Sequence, residues 1–197
     1  MRDGGVVSGW RRGLAGSWAV AAVVTFTALC VVPETADAHF LDNDSVDDCE
    51  IRWEDGTVFD TERRAAQDAW EALKGDDCVD IAPDVSSTNA DLEWKDVYRP
   101  DVSWAGRYEP ELSADDILLN DFYMRTYTPC ERKAVAMHEL GHAHGLDHGP
   151  NVNVMRSGGA GQCFLGVHDI ADYEALWGSR NPPRPPPPTH TPPTHTP

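Results

Sequence analysis

The stretch His138-Glu139-Leu140-Gly141-His142-Ala143-His144-Gly145-Leu146-Asp147-His148 fills H-E-x-x-H-x-x-G-x-x-H at all five fixed positions, and that pattern builds a catalytic zinc site. On a helix, residues i and i+4 share one face with side chains roughly 5–6 Å apart, so His138 and His142 can aim both imidazoles at one metal ion. Glu139, one residue along, faces the water beside that metal and is placed to act as general base. Gly145 can take the left-handed conformation that ends a helix, and the turn brings His148 back as a third ligand. Three protein ligands leave a fourth position open to water, which is what separates a catalytic zinc from a structural one. The chemistry expected is hydrolysis of a peptide bond, with Glu139 taking the proton of the zinc-bound water and passing it to the leaving nitrogen. His144 lies in the same stretch but points away from the metal, and it reads as a residue behind the ligands or on the surface.

These residues need a rigid frame, and the flanking pattern predicts one. Thr128 caps a helix with Pro129 at its first position and Glu131 in its first turn, a start that suits the helix dipole. That helix runs into the metal motif, and Ala134, Val135, Met137 and Leu140 make the rest of its surface apolar. A second helix is expected over Glu62 to Lys74, capped by Asp60 or Thr61, carrying Ala66, Ala69, Trp70 and Leu73 at core spacing and ending at Gly75. A third covers Val167 to Trp177 and closes at Gly178; its start is acidic at Asp169 and Asp172, and Trp177 is expected to pack on the active-site helix. Strand signals fall at Cys49–Trp53, Cys78–Ile81, Asp91–Tyr98, Val102–Tyr108 and Ile117–Met124. The fold class expected is α+β, a small mixed sheet with an active-site helix and two further helices.

Both ends read as something other than this domain. Arg11 and Arg12 precede an uncharged run from Leu14 to Val32, and Ala36-Asp37-Ala38 supplies a small-x-small cleavage signal, so residues 1–38 read as a signal peptide. A membrane anchor is the competing reading, against which Gly16, Ser17, Thr25 and Thr27 dilute the run. Residues 39–48 form an acidic arm, 49–180 the catalytic domain, and 181–197 a Pro/Thr-rich tail with Thr-His-Thr-Pro twice over, which cannot bury a core and stays extended as a spacer or wall-contacting segment. His190 and His195 lie in that tail as solvated residues.

An exported chain cut after Ala38 keeps Cys49, Cys78, Cys130 and Cys163. Four cysteines in an oxidising compartment read as two disulfides, with Cys49–Cys78 and Cys130–Cys163 favoured among the three pairings. The net charge is −17, and the signal peptide's three arginines and three acids cancel, so the mature surface is strongly acidic. That argues against nucleic acid and anionic membranes as partners and favours solubility and basic substrates or calcium; together with the export signal and the metal motif, the expectation is a secreted monomer acting on protein or peptide substrates. Asp42, Asp44, Asp47 and Asp48 are oxygen ligands for a calcium ion or, more commonly, a solvated acidic run.

With Met155 seven residues beyond His148, in Asn153-Val154-Met155-Arg156-Ser157, the motif resembles that of the metzincin metallopeptidases, and Met155 their Met-turn, an apolar floor under the metal. Within that clan the chain is similar to matrixin-like and snapalysin-like secreted bacterial peptidases. The resemblance spans about 49–178 and implies a metzincin-like fold, one catalytic zinc on His138, His142 and His148, and Glu139 as the base. His148 stands where snapalysin-like enzymes carry Asp, and Ser157 where matrixins carry Pro. The Tyr that astacin- and serralysin-like members place there is absent, and no cysteine-switch propeptide precedes the domain. The rival reading is a secreted zinc-bearing binding or wall-associated protein without catalysis; the intact Glu139 counts against it, since a protein that only binds has no chemical need for that carboxylate.

Overall fold

A computed structural model of the chain describes residues 39–73, 79–149, 153–158 and 161–178. The expected signal peptide, the Pro/Thr-rich tail with His190 and His195, and Cys78 with its expected bridge to Cys49 lie outside the described residues. Nine elements follow in order: β1 (Glu50–Gly56), α1 (Asp60–Glu71), β2 (Asp80–Pro83), β3 (Leu92–Val97), β4 (Gly106–Glu109), β5 (Asp115–Asn120), α2 (Asp121–Met124), α3 (Pro129–Ala143) and α4 (Val167–Trp177). They make a mixed α/β fold around a five-stranded sheet of order β2-β1-β3-β5-β4. The β1–β2, β1–β3 and β3–β5 pairs are parallel, and β4 joins β5 antiparallel. Ile51, Leu92, Trp94, Ile117 and Leu119 from the sheet are fully buried beside Trp70 of α1 and Met137 and Leu140 of α3. Trp70 also donates its indole N–H to the Met137 carbonyl at 2.9 Å, which fastens α1 to the helix carrying the histidines.

Three boundaries depart from the sequence reading, each for a local reason. The strand expected over Ile117–Met124 stops at Asn120, because the Asn120 side chain accepts the Phe122 N–H and starts the short helix α2, a fourth helix where three were expected. The strand expected from Val102 begins only at Gly106. Residues before it are held by side chains instead of a ladder: Asn120 Nδ2 donates to the Arg99 and Trp104 carbonyls. Helix α1 starts without a side-chain cap at Phe59, with Asp60 and Thr61 inside it, and ends at Glu71 with Ala72 as its C-cap, short of the expected Lys74; Lys74 and Gly75 themselves fall outside the described residues. The start of α3 follows expectation, with Thr128 and Glu131 capping each other's backbone and Pro129 in the first turn. Before β1, Asp47 and Glu50 exchange two backbone hydrogen bonds across Asp48 and Cys49, both at positive φ, so the acidic arm folds back in a tight turn.

Cys130 and Cys163 are disulfide-bonded, tying the first turn of α3 to the segment before α4. Among the described residues Cys49 is an exposed free thiol. Among the described residues no helix is long and apolar enough to cross a membrane.

Candidate metal centre

Helix α3 ends in a hydrogen-bonded turn that the glycine makes possible. Gly145 sits at φ +82°, where its N–H bonds the His142 carbonyl at 2.8 Å and the Leu146 N–H bonds Gly141 at 3.0 Å. This double bond pattern is the Schellman motif, and a left-handed residue at that position is its requirement. Leu146 is buried behind the turn, and the chain then carries His148 back toward the helix.

The result is convergence. His138 Nε2 lies 3.1 Å from His142 Nε2 and 3.2 Å from His148 Nε2, and each histidine offers a ring nitrogen within 4.8 Å of the others. Two ligands at about 2.0–2.1 Å from a tetrahedral metal stand about 3.3 Å apart, so the spacing fits one small cation. The tautomers fit as well. His138 Nδ1 contacts the Val154 carbonyl at 2.8 Å and His142 Nδ1 the Leu146 carbonyl at 2.7 Å. A carbonyl only accepts, so each Nδ1 carries the proton and each Nε2 presents a lone pair to the centre. Lone pairs facing one another at that range repel, and a cation between them removes the conflict. Burial, then the neighbouring imidazole, pushes His138 down to about 4, and burial lowers His142, so both are neutral ligands at neutral pH.

Glu139 shares the cleft, of about 410 Å³, with the three histidines. Burial pushes its carboxyl up to about 8, opposed by the Tyr108 backbone N–H and the charge of Arg107. A metal dication beside it acts in the same direction as those two and favours the carboxylate. Gly106 of β4 lies over this side chain: a Cβ there would stand 2.7 Å from Glu139 Cγ and 2.6 Å from Val135. The strand therefore approaches the helix as closely as a bare backbone allows.

Met155 is buried under the helix, and a Cβ on Gly141 would stand within bonding range of its sulfur. Sequence reasoning missed what holds it. Asp169, at the start of α4 and 1% exposed, accepts the backbone N–H groups of Val154, Met155 and Gly166 at 3.0, 3.1 and 2.6 Å. Its acidity at a helix start was legible; its reach across to the Met155 turn was not. The arm at 39–48 is a second unforeseen support. Leu41 donates to the Gly145 carbonyl, Asp147 to His39 and Ser45 to Ala143, each at 2.8 Å, so the arm runs beside the loop that delivers His148. Ser45 and Tyr108 both donate to the Asp115 carboxylate, which links the arm to the strand above Glu139.

His144 is not at the centre and not on the surface. It is wholly buried between Trp70 and Tyr173, with Nδ1 donating to Leu140. Trp177 meets the same corner, donating to the His144 carbonyl at 2.9 Å. Among the described residues the three histidines are the one His, Cys, Asp or Glu group drawn close enough to hold a metal; Asp42, Asp44, Asp47 and Asp48 form no such group. No protein-family model and no curated protein matches this chain.

Proposed function

We propose that the chain is a secreted zinc-dependent endopeptidase of metzincin-like fold, with His138, His142 and His148 holding the metal and Glu139 as general base. The observation that carries this reading is the three-imidazole convergence with a buried carboxylate beside it in an open cleft. A site built only for structure uses four protein ligands; this one offers three and a space. His138, His142 and His148 would hold the zinc, which would supply Lewis-acid activation of water and of the scissile carbonyl. Glu139 accepts the proton of the attacking water and delivers it to the departing amine, so it must be ionised at the start of the cycle. Met155 and Asp169 keep the floor under His138 in place through Val154, whose carbonyl accepts the hydrogen bond from His138 Nδ1–H.

The test is hydrolysis of casein and of quenched peptides by the secreted protein, with and without 1,10-phenanthroline, alongside zinc content. Turnover should vanish with the chelator at about one zinc per chain. Glu139→Ala should keep the zinc and lose about two to four orders of magnitude in kcat, whereas His142→Ala should lose zinc and turnover together. A Glu139→Ala protein as active as the parent would sink the mechanism. Bound zinc with no turnover on a broad peptide library would leave the binding-protein reading in its place.

A further inference from the structure

The cleft differs in sign from the molecule around it. The chain carries −17, yet beside the imidazoles the charged side chains lining the cleft are Arg107 and Arg156 against the single carboxylate of Glu139. Arg107 is drawn aside by Glu109 at 3.0 Å. Arg156 makes no ion pair among the described residues, and its partner is a backbone carbonyl: Nε and Nη2 donate to Gly158 at 3.3 and 3.2 Å. A guanidinium has five N–H groups in a fixed fork. The Gly158 contact occupies the Nε–Nη2 edge and leaves the Nη1–Nη2 end, an edge that takes both oxygens of a carboxylate at once. It also holds the side chain in one place before any ligand arrives, which lowers the entropy lost on binding.

Arg156 follows Met155 directly and pairs by backbone with Gly149, the residue after His148. Its Cα is therefore one strand spacing from the loop of the third ligand. A carboxylate gripped there belongs to a residue close to the bond being cut. The wider acidic surface does not cancel this, because charges beyond roughly 8 Å are largely screened at physiological ionic strength while a contact pair is not.

We propose that the cleft selects peptides carrying Glu or Asp within a few residues of the scissile bond, with Arg156 as the specificity-determining residue. This rests on the peptidase reading above. The experiment uses quenched peptides identical but for one position, filled with Glu, Gln or Lys and scanned over three positions on each side of the cut. At one or two neighbouring positions the wild-type kcat/KM should favour Glu over Gln by about tenfold or more, with Lys poorest. Arg156→Gln should bring the Glu/Gln ratio to about one, and Arg156→Glu should make Lys the preferred residue, with zinc content reporting that each variant is folded. Equal wild-type rates for the three peptides at every position, which needs no variant to measure, would overturn the proposal. So would a Glu preference that survives Arg156→Gln. A wild-type chain that binds zinc and cuts none of the peptides overturns the peptidase reading instead, and this inference with it.

Discussion

Two histidines six residues apart have opposite fates, and burial geometry decides which. His138 sends Nε2 to the cleft, while His144 is enclosed in the core with its own Nε2 unpartnered. Burial pushes His144 down to about 4, against the Leu140 carbonyl that favours its charged form. An unfolded imidazole titrates near 6.5, so between pH 6.5 and 4 the unfolded chain holds the proton that the folded chain refuses. This contribution is fully present above 6.5 and is lost as pH falls through the window, by at most about 3 kcal/mol for the group. His144→Phe keeps an aromatic ring between Trp70 and Tyr173 and removes the titration. Denaturant midpoints of the metal-free protein across that window should fall less steeply for His144→Phe than for the parent. At Gly106 the expected effect is on rate: Gly106→Ala pushes on Glu139 and Val135 and should lower kcat while zinc content stays near one per chain, read by turnover beside metal analysis.

The elements that support the site are fastened by a few polar groups. Asp169 gathers three backbone N–H groups at the junction of the Met155 turn and α4. Asp169→Ala strands those donors in a buried place and should cost about 3 kcal/mol or more, since bonds to a charged acceptor are worth about 1.5–3 kcal/mol each and are not additive. Asp169→Asn, which keeps one oxygen, should fall between; an unfolding curve for Asp169→Ala that overlays the parent would show that the turn is held otherwise. The metal loop is braced twice, by Gly145 and by the arm. Gly145→Ala forces a Cβ into a left-handed residue, 3.1 Å from Asp44 Cβ, at about 1–2 kcal/mol. Competition with a chromogenic chelator should show weaker zinc binding, because the strain falls on the turn that returns His148.

At the scale of the whole molecule, the Cys130–Cys163 bridge closes a loop of separation 33 that spans α3, the metal loop and the Met155 turn. Replacing both cysteines by Ser should lower stability by about 2–4 kcal/mol, as a loop of this length does when it opens in the unfolded chain; Cys49→Ser, at an exposed free thiol, should leave the denaturation midpoint unchanged. The convergence of His138, His142 and His148 was legible from the chain alone, because helix periodicity dictates which side chains share a face and a glycine dictates where the helix stops. The cap at Thr128 and the helix over Val167–Trp177 follow from equally local rules, whereas Cys130–Cys163 was one of three pairings open to four cysteines. Other features have no local signal. The late start of β4 at Gly106 goes with the bonds that Asn120 makes to the Arg99 and Trp104 carbonyls, and the approach of Gly106 to Glu139 with packing at the sheet's antiparallel edge. The hold of Asp169 on Met155 and the lie of the arm along the metal loop join residues far apart in the chain. Spacing along one helix determined the chemistry available to this protein; only the tertiary structure decided what grips that site and which charges line its cleft, because those contacts are set by long-range packing that no short pattern encodes.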